Sequence, residues 1–415
     1  MLTAWRCDGG SRCGRWLLCV LLLSAGCREI FPYTRDGRTD GLPGAGPDGR
    51  ADGLPGASFR FANGFSFGQH PDTVSASSAP LQILTSDSLC GGGPFGSGRI
   101  LLFSSNGASR KACVISLTSL RLPKEASISA SGDHPLVILV QGDAIIDGKI
   151  DVGAHTITPG PGGWRGGRPP GEGGTTSGQG DGAGAGQTCP QLGNSDLCGG
   201  GGAGHATAGA QGGAAGIAGA SVAGPSHGTS ALALEGGSGG GRSGEMQAAE
   251  GMRGGAGGGA LQMSVIGVLT VNGAITAGGG GGAGGLSTNG GGGGGSGGSI
   301  LLEALAIDGS GWVSANGGGG GGSGSYNKGV NGSDGSDGGP TLSPALGGAG
   351  ITKGGNGGSS SSGPTDGESS TTLRLGGGGG GAAGRVHLSW PGGAAQDPQR
   401  PIQCSGSVTL GAPAL

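Results

Sequence analysis

The residues of this chain that could do chemistry are few and scattered. Acids and one base recur in three apolar segments as Asp143, Asp147, Lys149, Asp151, Glu303 and Asp308. Stacked carboxylates with a nearby Lys or Arg are what acid/base cleavage or cation binding by a polysaccharide-acting protein requires. Asp147 and Asp308 precede glycines, however, where Asp serves a turn, and the middle segment, residues 260–277, contributes no acid. Six histidines (His70, His134, His155, His205, His227, His387) show no spacing that argues a Ser/His/Asp grouping. Of the tryptophans that could stack on sugars, Trp164, in loop text with Arg165 and Arg168, is the better candidate for a binding role, whereas Trp312 and Trp390 lie in apolar strand text and read as core or cap. Glycine strings that mimic phosphate loops lack the Lys-Ser/Thr ending and the strand-loop-helix context of a nucleotide site. The spaced aspartates of Asn331–Gly338 do not form a repeated calcium pattern. No catalytic residue, cofactor or metal ligand is therefore assigned.

Cysteines give a second set of chemical groups. Cys189 and Cys198 bracket a short loop and read as a local disulfide, with Cys90 and Cys113 as the next pair and Cys404 left over. Zinc is not indicated, because structural zinc wants two close pairs of Cys or His. Oxidised cysteines require an exported chain, and the amino terminus supplies the means. Arg6, Arg12 and Arg15 precede the apolar run Trp16–Leu23, long enough for a signal-peptide core and too short to span a bilayer. Leu23-Ser-Ala-Gly-Cys27 follows and resembles the lipobox of bacterial lipoproteins, with Ser24 departing from the usual Leu. The resemblance implies diacylation of Cys27 and, since Arg28 rather than Asp follows, the outer membrane. Such an anchor of two or three chains holds where one would not.

The elements that must position these groups are set by composition. Only 33% of residues are hydrophobic and 12% charged, against about 45–50% and about 25% in globular chains, so one large conventional core is excluded. A net charge of −3 without a basic block argues against nucleic acid as a partner. Glycine supplies 112 of 415 residues. Between its tracts lie Pro135–Val152, Ala260–Ala277 and Ser299–Ala315, each reading as strand, Asp/Asn-Gly corner, strand, and a fragment of a fourth at Gly384–Trp390. The corners Asp147-Gly148, Asn272-Gly273 and Asp308-Gly309 are expected to use the left-handed backbone that Asn/Asp-Gly tolerates. An isolated hairpin would leave its apolar face bare. Parallel stacking instead buries Ile145, Ile150 and Val152 on Val268, Val271 and Ile275, and these on Ile307 and Val313.

The expected fold is therefore all-β, a parallel, right-handed β-solenoid. Long glycine-rich insertions leave after Val152, Ala277 and Ala315 and emerge along one edge, where three-residue-per-turn polyglycine II helices offer an ordered packing. Expected boundaries are a signal peptide over 1–26, a Gly/Pro/Asp-rich tether over 27–58 with a ten-residue text repeated from Asp36 and from Asp48, opening β-strands over 59–132, solenoid coils with insertions over 133–390, and a tail over 391–415.

Phrases such as Leu234–Gly241, Gly254–Gln262, Gly297–Glu303 and Ser314–Gly317 resemble the glycine-rich envelope lipoproteins of Gram-negative soil bacteria, over roughly residues 114–390. The resemblance implies a surface or periplasmic structural protein and carries no activity. The expected function is a non-catalytic, exported structural or adhesive surface lipoprotein, held to a membrane by its lipid and meeting polysaccharide or other surface proteins. One alternative is a β-helix that binds or cleaves carbohydrate; another is a largely disordered glycine-rich coat.

Overall fold

The computed structural model describes residues 62–66, 72–75, 80–105, 108–169, 178–188, 197–216, 219–228, 230, 232–244, 252–287, 289–325, 329–370, 372, 374–391 and 402–411. Residues 1–58, with Cys27, and Cys189 lie outside them. Among the described residues no α-helix occurs. The strands are β1 (Asp72–Ser75), β2 (Leu81–Ser86), β3 (Leu89–Gly91), β4 (Arg99–Ser105), β5 (Ala108–Leu122), β6 (Ser127–Ser131), β7 (Leu136–Val140), β8 (Ala144–Ile146), β9 (Lys149–Asp151), β10 (Ala260–Val271), β11 (Ala274–Thr276), β12 (Ser299–Asp308), β13 (Trp312–Ser314), β14 (Arg385–Ser389), β15 (Gln403–Ser405) and β16 (Ser407–Gly411).

These strands form two sheets. One has nine strands in the order β1-β5-β7-β10-β12-β14-β16, with β4 paired to β5 and β8 lying between β5 and β10. The other has seven in the order β15-β13-β11-β9-β6-β2-β3. Pairing is parallel throughout except for β4 with β5 and β2 with β3. From β5 onward, strand order follows chain order in both sheets, so each chain segment adds one layer to each sheet.

Register explains why these residues choose strands. Cys113, Leu136, Leu261, Ile300 and Val386 are aligned across five strands, as are Ile115, Ile138, Met263, Leu302 and Leu388. In the second sheet Ile128, Ile150, Ile275, Val313 and Cys404 are aligned in the same way. All are buried, and the rows from both sheets merge into one apolar cluster. Like residues repeated at one register position thus build a narrow core that a chain poor in apolar residues can fill, each Leu, Ile or Val contributing about 1.5–3 kcal/mol when buried.

Two of the expected inward residues are displaced by one position. Ala144 and Ile146 face the core while Ile145 is half-buried, and Leu269 and Val271 face it while Val268 is 41% exposed. On β10 the inward residues Leu261, Met263, Val265, Leu269 and Val271 keep one alternation, so Val268 falls on the opposite face, where its N–H donates to Asp143 Oδ1 at 2.8 Å. The alternation breaks on β12 instead, from Ala304 to Ile307, opposite the register irregularity between Val265 and Val268. The corner glycines also differ from expectation. Only Gly309 has a positive φ, 122°. Gly148 is required by close approach instead, because a Cβ there would collide with the carbonyls of Pro123 and Ala126.

The ends of the stack depart from the expected boundaries too. The segment read as a tail carries β15 and β16, which extend the sheets beyond β13 and β14. At the other end the hairpins β2–β3 and β4–β5 close the core over Phe95, and a disulfide joins Cys90 to Cys113 with Cα atoms 5.4 Å apart. Cys198 and Cys404 are disulfide-bonded as well, so Cys404 is not a leftover thiol.

Among the described residues between β9 and β10, β11 and β12, and β13 and β14 there are no strands, yet most of their glycines are buried and many are hydrogen-bonded to one another. Gly291, Gly294 and Gly297 donate to Gly376, Gly379 and Ala382. Gly292, Gly295 and Gly298 donate to Ala283, Gly280 and Ala277, and Gly293 and Ser296 to Gly241 and Ser238. One segment therefore addresses three neighbours in strict rotation, every third residue to the same one. Residues 317–325 repeat the rotation, facing 352–358, 289–295 and 330–336 in turn.

Candidate functional site

The acids that suggested chemistry are dispersed. Asp147 Oδ1 accepts from Asn272 Nδ2 at 2.8 Å, and Asp308 Oδ1 accepts the N–H of its own Gly309 at 2.7 Å. Asp151 takes the Lys149 ammonium at 2.6 Å, Thr276 Oγ1 at 2.9 Å and the Gly153 N–H at 2.9 Å. Burial alone would raise the Asp151 pKa, but the Lys149 pairing and these hydrogen bonds outweigh it and hold the carboxylate below its usual range. These acids, with Asp143, serve corners and ladders.

Glu303 lies apart from them, on the outer face of the nine-stranded sheet. It is 2% exposed. Its Oε2 accepts from Ser264 Oγ at 2.7 Å and Gln262 Nε2 at 3.0 Å, and its Oε1 accepts the Ala62 N–H at 3.0 Å. Burial raises its pKa despite these donors. Gln262 also donates to Ala62 O at 3.0 Å and accepts from Asn63 Nδ2 at 3.0 Å. The cluster thus straps the Ala62–Phe65 segment across β10 and β12, with Phe65 packed on Phe103 at 5.3 Å between ring centres.

A grouping that spacing did not announce lies where the glycine body meets the same sheet. His227 Nε2 is 3.0 Å from Ser238 Oγ, and its Nδ1 is 3.8 Å from Glu235 Oε2. The order Ser, His, carboxylate is that of a hydrolytic triad. Ser238 is completely buried, however, and its Oγ already accepts the Gly184 N–H at 2.9 Å, so an acyl carbon has no approach to it. The grouping is a clamp. Arg110 of β5 pairs with Glu235 at 2.8 Å, and Arg385 of β14 donates to His227 O at 3.0 Å. His205 stacks on His227 at 4.7 Å and hydrogen-bonds Gly297 O through Nδ1 at 2.6 Å. Burial, with the neighbouring His227 second, pushes the His205 pKa down to about 3.

The accessible feature is a groove of 680 Å³ beside Trp164, lined by Ser131, Asp133, Thr158, Arg165, Arg168 and Asp181 among others. Trp164 is 43% exposed. Its backbone N–H donates to Gly237 O at 3.0 Å and its carbonyl accepts from Gly257 at 2.7 Å, so the residue is fixed on both sides within the glycine body. Behind the indole stands Gly182, at φ 100°, where a Cβ would lie 2.9 Å from the ring. Arg168 Nη2 lies 3.7 Å from Asp181 Oδ2. The structure therefore brings together Trp164, Arg165 and Arg168, which are neighbours in sequence, and adds Asp133 and Asp181, which no local pattern announced. A second cavity of 180 Å³ lies between Trp164, Arg110, His227 and Glu235.

Asp334 and Asp337, from the calcium-like text, accept backbone N–H groups instead, Asp337 Oδ1 from Thr156 at 3.0 Å and Gly281 at 2.8 Å, Asp334 Oδ1 from Gly284 at 2.7 Å. Among the described residues no group of three His, Cys, Asp or Glu could hold a metal ion, and no helix is long and apolar enough to cross a membrane. No family model matches the chain, and no curated protein or solved structure matches it.

Proposed function

We propose that this chain is a non-catalytic, exported structural or adhesive element, anchored by lipid at Cys27, in which a β-solenoid carries a bundle of polyglycine II-like helices. The observation that carries the reading is the rotation of hydrogen bonds by thirds. A helix of three residues per turn directs successive N–H groups to three different neighbours, and glycine, lacking a Cβ, lets such backbones approach closely. Matching strand order in the two parallel sheets supports the solenoid, since a chain that adds one layer to each sheet per segment is coiling. Ordering so much glycine is entropically expensive. That expense fits a rigid body better than a passive coat. The acids Asp143, Asp147, Asp151 and Asp308 are taken up by ladders and corners, which favours scaffold over polysaccharide cleavage.

Export and anchoring rest on Arg6–Leu23 and on the Leu23–Cys27 lipobox, and are tested together. Palmitate labelling in the native host should mark the wild type and not Cys27→Ser, and protease added to intact cells should remove the protein. Absence of label with the protein in the medium would replace the anchored element by a secreted one.

A further inference from the structure

The geometry points to the Trp164 groove as a binding site for an acidic polysaccharide, a chain of uronic acid residues. This deepens the adhesive reading and rests on it for its biological meaning. Among the described residues Phe65, Phe95 and Phe103 are at most 6% exposed and Trp312 and Trp390 are half-buried, whereas Trp164 is 43% exposed. Exposing an indole forfeits burial that the core would welcome. Its position is nonetheless fixed, by backbone hydrogen bonds on both sides and by Gly182 behind the ring. A rigid aromatic plate beside a 680 Å³ groove suits the apolar face of a pyranose ring.

Charge narrows the ligand. Arg165 is exposed at the groove, and its planar fork matches a carboxylate in two hydrogen bonds. Arg168 stands half-buried and oriented toward Asp181. Asp133 and Asp181 with the hydroxyls of Ser131 and Thr158 supply acceptors for sugar hydroxyls. A neutral glucan would leave Arg165 without a counter-charge. A phosphodiester chain calls for clustered Lys and Arg along its phosphates, and the groove offers Arg165 and an Arg168 that faces Asp181. One carboxylate per sugar, on a ring that stacks, satisfies both the indole and the exposed guanidinium.

The test uses the purified full chain in affinity electrophoresis and calorimetry, with polygalacturonate and alginate as acidic probes, dextran as the neutral one and single-stranded DNA as the polyanion. Expected are retardation by at least one acidic polymer, weakened by salt, none by dextran or DNA, and a tenfold or greater loss of affinity in Trp164→Ala and in Arg165→Gln. Arg165 is exposed, so its variant folds even where Trp164→Ala does not, and equal melting temperatures confirm it. No binding to either acidic polymer, equal binding by both variants, or comparable binding of dextran or DNA overturns the assignment. Such a failure alongside Cys27-dependent palmitate label leaves the anchored scaffold standing, while binding without label places the groove on a secreted protein.

Discussion

Glu303 shows what a single buried polar residue does in this chain. Its carboxylate serves Ala62, Gln262 and Ser264 at once, and removing it leaves the Ser264 O–H and the Ala62 N–H without this acceptor. Glu303→Ala should lower stability by about 1–3 kcal/mol in chemical denaturation and release the Ala62–Phe65 strap. Because burial raises the Glu303 pKa, the stability it contributes is complete below its unfolded value of 4.5 and declines as pH rises through the folded one, so the loss should be larger near pH 4 than near pH 8. His205 has the opposite dependence. Its folded pKa near 3 lies below the ordinary 6.5, the unfolded chain binds the extra proton between these values, and stability should fall as pH drops through that window. His387, also lowered by burial, adds to the effect. The slope approaches about 1.4 kcal/mol per pH unit for each such group, and His205→Gln should flatten it in denaturation curves taken between pH 4 and 7. None of this was legible in the sequence: Glu303 read as a possible acid of a catalytic row, and nothing in the spacing of His227, Glu235 and Ser238 announces a clamp. Trp164, Arg165 and Arg168 were legible because they are adjacent, while Asp133 and Asp181 reach them only through the turn before β7 and a bend of the glycine body.

At the scale of elements, punctuation was the readable signal. Asp147-Gly148 and Asn272-Gly273 mark corners between β8 and β9 and between β10 and β11, and the strands on either side fall where apolar text predicts. Parity was only partly readable, because opposite the register irregularity at Val265–Val268 the inward face of β12 moves from Ile300, Leu302 and Ala304 to Ile307 without any change in composition. β15 and β16 escaped notice for a related reason: Gln403-Cys-Ser and Ser407–Gly411 are short and polar, and they become strands only because β13 and β14 offer them edges. The antiparallel hairpins at the opposite end need a different support, since β3 pairs only with the short β2. There the Cys90–Cys113 bridge ties β3 of one sheet to β5 of the other across 23 residues of chain. Replacing both cysteines by Ala should cost about 3 kcal/mol, by the loop-closure entropy of a segment of that length. The loss should appear first as faster hydrogen exchange in β2, β3 and β4, with β10 to β14 unaffected until global unfolding. Uniform exchange across both ends would show that the bridge constrains nothing locally.

The whole molecule joins two kinds of order, side-chain rows in the sheets and backbone contacts in the glycine body, and the second makes a demand that ordinary packing does not. In the sheets a residue such as Ile275 depends on its row, and a smaller side chain leaves a local cavity. In the glycine body Gly294 donates to Gly379, accepts from Ala203, and lies so close to Gly318 that a Cβ would strike its carbonyl. Those contacts join three excursions of the chain, Gly294 lying between β11 and β12, Ala203 between β9 and β10, and Gly318 and Gly379 both between β13 and β14. An error at Gly294 therefore cannot relax into a neighbouring loop, as every direction is another backbone with its own hydrogen bonds in the same rotation. Gly294→Ala should consequently raise exchange rates together at Ala203, Gly318 and Gly379, positions up to 176 residues apart, and open residues 197–216 to limited proteolysis while the β10–β14 sheet stays protected. Alanine at Gly363, where a Cβ would meet nothing, should do neither. If Gly294→Ala is as protease-resistant as the wild type, the glycine segments are independent loops; if its effects spread to all three excursions, they form one cooperative body, built from backbone alone.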